Sequence, residues 1–172
     1  CFGCVLGVLA AVTHAATMVL LETFDPVAVM ASVEEERCTA LYGVPTMFIA
    51  VLQHKLFKKF DFGTLRTGIM AGSPCPIEVM RQVIDQMNMS EITICYGLTE
   101  ASPVITQTRS DDEIRLRVES VGRAMPGIEV KIVNPDTHEL LPPGQQGEVC
   151  CRGYNVMKGY YNMAEATAAA VD

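Results

Sequence analysis

The stretch "ITICYGLTEASPV", residues 92–104, decides the fold. It begins as a β-branched apolar run, which is typical of a buried strand. The run ends abruptly in Tyr96-Gly97-Leu98-Thr99-Glu100, which supplies a ring, a glycine, a hydroxyl and a carboxylate in succession. A polar turn explains this composition, and so does a ligand site at the end of a strand. The flanking sequence distinguishes the two interpretations.

Upstream of this stretch, strand-like apolar runs alternate with helical patterns. We predict strands over residues 39–44, 66–72 and 91–97. We predict helices over residues 25–37, 45–57 and 76–88. The first of these helices has Asp25 as its N-cap and Pro26 in its first turn. Continuous apolar strands alternating with helices predict an α/β fold, with a mostly parallel sheet flanked by helices.

The N-terminal residues 1–21 carry no charged side chain. A run of about 20 apolar residues is long enough to cross a membrane. However, Thr13 and His14 interrupt the run, and no basic residues flank it. We therefore predict two buried elements, a helix over 3–13 and a strand over 16–22, and no transmembrane segment. A membrane anchor remains the alternative for this region.

After residue 105 the pattern changes. Residues 108–120, "TRSDDEIRLRVES", predict a charged loop. Two alternating runs at 127–133 and 147–153, joined by a turn-rich link, predict a small antiparallel β hairpin unit. Residues 164–171 predict a short C-terminal helix. We accordingly divide the chain into an α/β subdomain, residues 1–105, and a second part, residues 106–172, with the loop, hairpin unit and helix.

Composition restricts the class of protein. The chain is 49% apolar and 19% charged, so it can bury a substantial core. A net charge of -7 disfavours binding to nucleic acid, whose phosphates attract basic surfaces. Seven cysteines, an odd number, argue against a disulfide framework. We expect reduced thiols and a cytoplasmic location.

Two strand ends are candidates for a binding site, because ligands in open α/β sheets lie at the carboxyl ends of the strands. The first is the loop around Gly72, where glycine permits close approach of a ligand to the backbone. At the second, Tyr96 offers a ring for stacking and Gly97 leaves room beside the backbone. Thr99 offers a hydroxyl for a phosphate, and Glu100 offers a hard oxygen donor for Mg²⁺. Together the two ends predict a nucleotide site.

Four motifs resemble those of one family. "YGLTE" resembles the signature Tyr-Gly-x-Thr-Glu of the adenylate-forming (AMP-binding) superfamily, and "AGSPCP" is similar to its adenine-binding loop. "VGRAMPGIEVKIV" and "GEVCCRGYNVMKGYYNMAEAT" resemble its downstream motifs, in the same order. Within the superfamily the chain most resembles fatty acyl-CoA synthetases that act on medium-chain or similar acids. The resemblance implies an internal fragment of their large N-terminal domain.

The resemblance implies a two-step reaction. A fatty acid carboxylate attacks the α-phosphate of ATP, giving an acyl-adenylate and pyrophosphate. The thiol of CoA then attacks the acyl-adenylate, giving acyl-CoA and AMP. Because the carboxylate and the triphosphate repel each other, Mg²⁺ is the expected cofactor. An enzyme that passes the acyl group to a carrier-protein thiol and a non-catalytic nucleotide-binding protein of the same fold remain alternatives.

The resemblance also implies roles for individual residues. Thr99 contacts the phosphate and Glu100 holds Mg²⁺, which makes both of them catalytic. The adenine lies against Tyr96 and the backbone of the neighbouring loop, so the nucleotide-binding residues are Gly72, Ser73, Pro74, Tyr96, Gly97 and Thr99. The acyl chain needs an apolar tunnel, for which our candidate wall residues are Met47, Phe48, Met70, Ala71 and Gly97. We interpret Arg123, Gly153 and Gly159, in the downstream motifs, as structural.

Several parts of the family's active site do not appear in the sequence. These are the Ser/Thr/Gly-rich phosphate loop, the aspartate that binds ribose and the catalytic lysine of the small C-terminal domain. We therefore expect the chain alone to be inactive or nearly so. Apolar faces and unpaired strand edges predict a homodimer or a segment-exchanged assembly.

Overall fold

Five strands form the main sheet of the computed structural model, which describes residues 1–171. Their order across the sheet follows the chain: β1 Ala40–Gly43, β2 Thr67–Met70, β3 Glu91–Tyr96, β4 Thr106–Gln107 and β5 Arg123–Ala124. β1, β2 and β3 are parallel, whereas β4 and β5 are antiparallel to their neighbours. The predicted parallel sheet is confirmed, and two short antiparallel strands extend it.

A second sheet contains two antiparallel strands, β6 Ile128–Val133 and β7 Glu148–Gly153. The predicted hairpin unit is therefore confirmed. The predicted division at residue 105 falls between β3 and β4, which pair with each other. The division into two parts stays a prediction.

Helices connect the strands and lie beside the sheet. The N-terminal helix begins with a π-helical stretch and continues as a short α-helix, and 3₁₀ turns occur at Phe57–Lys59 and Thr99–Ala101. The helical elements are π-helix Gly3–Leu9, α1 Ala10–Thr13, α2 Pro26–Glu35, α3 Pro45–Leu52, α4 Ile77–Gln86, α5 Ile114–Glu119 and α6 Ala164–Ala170. Asp25 caps α2 as predicted, because its Oδ1 accepts a hydrogen bond of 2.8 Å from the Ala28 amide. α3 ends at Leu52, earlier than predicted.

The main core lies between one face of the sheet and helices α2, α3 and α4. Met30, Phe48, Met70, Met80 and Ile92 are fully buried in it. Burying a side chain of this size stabilises a fold by about 1.5–3 kcal/mol. This layer covers one face of the sheet, whereas the loops at the carboxyl ends of the strands lie outside it.

Two smaller apolar clusters lie around the carboxyl ends of the strands. Ala71, Cys95 and Val104 form one of them, and Phe2 and Leu6 of the N-terminal helix pack against it. The other cluster consists of Ala101, Ile105 and Ile128, and it joins the main sheet to the second sheet. The loops after β2 and β3 are therefore supported by apolar contacts on both sides.

The strand predicted over residues 16–22 is wrong. The helix predicted over 3–13 forms, but none of its residues is buried, so the predicted burial of this helix is also wrong. The segment after it has no strand structure and is exposed, with Leu20 at 71%. A strand is stable only when its backbone groups pair with a neighbour. No described strand pairs with this segment. In residues 1–171, no helix has the length and hydropathy needed to cross a bilayer.

The charged loop predicted over residues 108–120 is partly wrong, because α5 lies within it. The helix is held by Arg117, whose side chain is buried. Its guanidinium donates hydrogen bonds of 2.7 Å to the Ser90 carbonyl and 3.1 Å to the Ile92 carbonyl. These contacts with the start of β3 are tertiary, so the local charge pattern did not indicate them.

We predict that Arg117→Met lowers the free energy of unfolding by about 2 kcal/mol, because a hydrogen bond from a charged donor contributes about 1.5–3 kcal/mol. Methionine keeps the apolar stem and removes the donors. Arg115→Met on the same helix is the control, since Arg115 is exposed and its ion pair is with Glu119, one turn along the helix surface. Urea denaturation measures both variants. Equal stabilities of the two variants would contradict the prediction.

Candidate active site

The loops after β2 and β3 lie side by side at one edge of the sheet. In the parallel pairing of these strands, Met70 is opposite Ile94. Gly72 and Tyr96 each follow two residues later, so Gly72 in the first loop is at the level of the last residue of β3. Neighbouring strands are about 4.8 Å apart, which brings the two predicted binding loops within reach of one ligand.

The loop after β2 exposes its backbone. Gly72 has φ +89°, a conformation that residues with a side chain rarely adopt. Ser73 and Pro74 follow it and are exposed. The Ala71 amide donates a hydrogen bond of 3.2 Å to the Gly43 carbonyl, so the start of the loop is fixed to the end of β1. This loop can present backbone groups to the edge of a planar ligand.

The loop after β3 is closed at its base. Thr99–Ala101 form a 3₁₀ turn, and Ser102 follows in the left-handed conformation, with φ 51°. The chain then reverses, and the Ile105 amide donates a hydrogen bond of 2.9 Å to the Tyr96 carbonyl. The hydroxyl and the carboxylate of the motif are thus carried on a short turn of fixed shape.

Gly97 is required inside this loop. A Cβ atom at Gly97 would collide with the carbonyl of Pro103, which belongs to the returning half of the loop. The space that the sequence assigned to a ligand is filled by backbone. A contact between Gly97 and a nucleotide or an acyl chain stays a prediction.

Tyr96 and Thr99 have different surroundings. Tyr96 is half-buried and packs against the cluster of Ala101, Ile105 and Ile128. Thr99 is exposed at the first position of the turn. The ring is therefore held by the protein, whereas the hydroxyl of Thr99 is free to contact a ligand.

Glu100 is anchored through both its side chain and its backbone. Its Oε1 accepts a hydrogen bond of 2.7 Å from the Tyr160 hydroxyl, and its carbonyl accepts one of 2.8 Å from the Met157 amide. The bond from Tyr160 lowers the pKa of the Glu100 carboxyl and raises the pKa of the Tyr160 hydroxyl. Glu100 is consequently a carboxylate at neutral pH.

Asn155 also supports the turn. Its side chain is buried, and Nδ2 donates hydrogen bonds of 2.9 Å to the Ala101 carbonyl and 3.3 Å to the Val104 carbonyl. Sequence reasoning missed Asn155, Met157 and Tyr160. The available signal was the downstream motif itself, but nothing in its local pattern indicates which distant residues it contacts.

The surroundings of Glu100 fit Mg²⁺. Its carboxylate is a hard oxygen donor, and no basic side chain of residues 1–171 pairs with it. The described chain contains no group of three or more His, Cys, Asp or Glu side chains placed to share a metal. Mg²⁺ is usually bound by one or two carboxylates together with the phosphates of a substrate. Glu100 can supply such a single carboxylate.

The five predicted acyl-wall residues do not come together. Phe48 and Met70 are buried in the main core, whereas Ala71 lies in the cluster with Cys95 and Val104 at the other face. Met47 and Phe48 also line a separate apolar cleft of about 240 Å³ beside β1. Met70, Ala71 and Gly97 lie at the strand ends that carry the candidate site, but the Met70 side chain is buried in the main core.

Comparison with known proteins identifies the family. A sequence profile of the family "AMP-binding enzyme" matches residues 1–161. The chain therefore belongs to the AMP-binding enzyme family, and the resemblance seen in its motifs is confirmed.

Two relatives and one solved structure describe this kinship. The chain is 60% identical over 172 residues to YngI of Bacillus subtilis (strain 168), whose name assigns it provisionally to the acyl-CoA synthetases; the match covers 100% of this chain and 31% of YngI. It is 40% identical over 172 residues to the medium-chain acyl-CoA ligase ACSF2, mitochondrial, of Bos taurus, covering 99% of this chain and 28% of that protein. The crystal structure of ATP-bound MatB from Rhodopseudomonas palustris superimposes with a TM-score of 0.84 at 29% identity, covering 98% of this chain and 32% of MatB. The chain thus spans less than a third of the length of these relatives.

We predict that Cys75 and Cys95 resist alkylation at pH 8. Burial raises the pKa of each thiol to about 11, so only about one thiol in a thousand is ionised at that pH. Cys1 and Cys4 are exposed and should react first. Mass spectrometry after brief iodoacetamide treatment measures the order. Early labelling of Cys75, which packs against the main core, would contradict the prediction.

Proposed function

We propose that the chain carries part of the ATP site of an acyl-CoA synthetase, which converts a carboxylic acid, ATP and CoA into acyl-CoA, AMP and pyrophosphate. The observation that supports this proposal is the position of the Glu100 carboxylate. It is held next to Thr99 on a fixed turn, beside the loop of Gly72. The similarity to an acyl-CoA ligase at 40% identity supports the same reaction class.

The proposed roles follow from chemistry and position. The adenine lies between the half-buried ring of Tyr96 and the exposed backbone of Gly72, Ser73 and Pro74. Thr99 donates its hydroxyl to a phosphate oxygen. Glu100 would hold Mg²⁺, which when bound neutralises charge on the phosphates and so favours attack by the carboxylate. Tyr160 and Met157 keep the Glu100 residue in place while ATP binds.

We further propose that the acyl chain starts beside Ala71. The carboxylate of the acid must reach the α-phosphate at the strand ends, so its chain must lie against apolar side chains close to them. Ala71, Cys95 and Val104 form one of the two apolar clusters at these strand ends, and Ala71 begins the loop after β2. A medium-chain acid is proposed as the substrate, since a relative of the chain is named a medium-chain acyl-CoA ligase.

The proposed activity belongs to a longer enzyme. The chain spans 28–31% of the two relatives described above, and the phosphate loop and catalytic lysine expected from the family are not among its motifs. We propose that the 172 residues alone are inactive and form a homodimer or exchanged assembly through exposed apolar surfaces. The cytoplasmic location stays a prediction, and the Bos taurus relative is named mitochondrial.

Exchange of pyrophosphate into ATP tests the proposed function. In the full-length enzyme, we expect exchange that depends on a fatty acid. We expect it to fall by roughly a hundredfold or more in Glu100→Gln, because the neutral amide holds Mg²⁺ poorly and the charge on the phosphates is then not neutralised in the transition state. Glu148→Gln is the control, since Glu148 is exposed on β7. Full exchange in Glu100→Gln would contradict the metal role of Glu100. No exchange with any acid would favour a binding function.

Substitution of Ala71 tests the position of the acyl chain. We expect Ala71→Leu to lower kcat/KM for the longest accepted acid by roughly tenfold relative to a short acid, because pocket volume discriminates by about one methylene at a time. Met70→Leu, on the opposite face, should leave the preference unchanged. Activity over a series of acids measures both variants. An altered preference in Met70→Leu alone would place the chain at the other face.

A further inference from the structure

Three residues of one segment in the second part of the chain donate four hydrogen bonds to the loop that carries Thr99 and Glu100. Asn155 holds the carbonyls of Ala101 and Val104, the Met157 amide holds the Glu100 carbonyl, and the Tyr160 hydroxyl holds Glu100 Oε1. We define residues 153–160 as the clamp segment. Three of these hydrogen bonds fix the backbone of the loop, and the fourth holds the carboxylate itself.

We infer that Tyr160 is a positioning residue that orients the Glu100 carboxylate for its metal ion. The inference rests on the proposed function, in which Glu100 holds Mg²⁺. Tyr160 acts through Glu100 and is not assigned a contact with a substrate. It differs from Asn155 and Met157, because it is the member of the clamp segment that reaches the functional group of the site.

Tyr160 is itself held in place. Its amide donates a hydrogen bond of 2.9 Å to Thr167 Oγ1 in α6. The Thr167 hydroxyl in turn donates one of 2.8 Å to the Met163 carbonyl. Gly159, with φ +144°, lets the chain pass over the Thr167 side chain, where a Cβ would be too close. The backbone of Tyr160 is thus fixed, and its exposed ring is held at its far end by the hydrogen bond to Glu100.

The hydrogen bond from Tyr160 gives the two carboxylate oxygens of Glu100 different surroundings. Oε1 accepts the hydrogen bond from the Tyr160 hydroxyl, whereas Oε2 has no hydrogen-bond partner within the described part of the chain. A carboxylate held through one oxygen presents the other in a defined direction, so binding to a cation through Oε2 is favoured. Residues that orient metal ligands in this way typically change metal affinity or activity by roughly 10–100-fold when they are substituted.

The test compares Tyr160→Phe with Tyr161→Phe in the full-length enzyme. Tyr161 is the matched control, because it is the adjacent residue and is 91% exposed. Calorimetry gives the Kd of ATP with saturating Mg²⁺ and with EDTA. The Kd in EDTA divided by the Kd with Mg²⁺ measures how strongly the metal supports binding, and a larger ratio means stronger support. We expect Tyr160→Phe to reduce this ratio by roughly tenfold and to leave the Kd in EDTA unchanged. Tyr161→Phe should change neither value.

Two results would overturn the inference. An unchanged ratio in Tyr160→Phe, with a reduced ratio in Glu100→Gln, would show that Glu100 binds the metal without help from Tyr160 and would leave the proposed function intact. Equal weakening of ATP binding with and without Mg²⁺ would show a general structural effect. If Glu100→Gln also keeps the full ratio, the metal role in the proposed function fails as well.

A second variant tests the same inference without changing Tyr160, in case Tyr160→Phe does not fold correctly. Thr167→Val keeps the volume of the side chain and removes the oxygen that anchors the Tyr160 amide. We expect the ratio to fall in the same direction as in Tyr160→Phe, by a smaller factor, since the phenol is loosened but still present. A ratio equal to that of the unmodified enzyme would argue against fixation of Tyr160 as the source of the effect.

Discussion

The parallel pairing of β2 with β3 is the constraint on which the site depends. It places Met70 opposite Ile94, and this register sets the level at which both loops leave the sheet. A shift by one residue would turn the side chains of a strand to the opposite face. Ile92 and Ile94 would then leave the main core, so burial of these side chains specifies the register. The apolar layer thereby aligns polar groups that it never contacts.

The sequence was sufficient where the signal is local. The cap at Asp25, the strands and the turn-rich hairpin each carry their cause within a few residues. It failed where formation depends on a distant partner. Residues 16–22 have strand composition without a described strand to pair with, and α5 carries a charge pattern typical of a loop. In α5 the decisive contact is between Arg117 and the start of β3.

Some residues of the candidate site could likewise be predicted from local sequence, and others could not. Thr99 and Glu100 are visible in the sequence because their types and spacing suit a nucleotide. Tyr160 is not, since it lies 60 residues from the carboxylate that it contacts. The acyl-wall candidates show a further limit. Met70 and Ala71 are adjacent at the end of β2, and successive side chains along a strand point to opposite faces, so one apolar run cannot line a single wall.

The clamp segment has a consequence for the order in which the protein matures. Strands β1, β2 and β3 can pair as soon as they leave the ribosome, because their contacts are complete by residue 96. Tyr160 follows Glu100 by 60 residues, which takes roughly 3–12 seconds at synthesis rates of about 5–20 residues per second. During that interval the nascent chain has its three parallel strands, but Tyr160, the hydrogen-bond partner of the Glu100 carboxylate, has not yet been made. The contacts that hold Glu100 are therefore completed late, after the hairpin has been made.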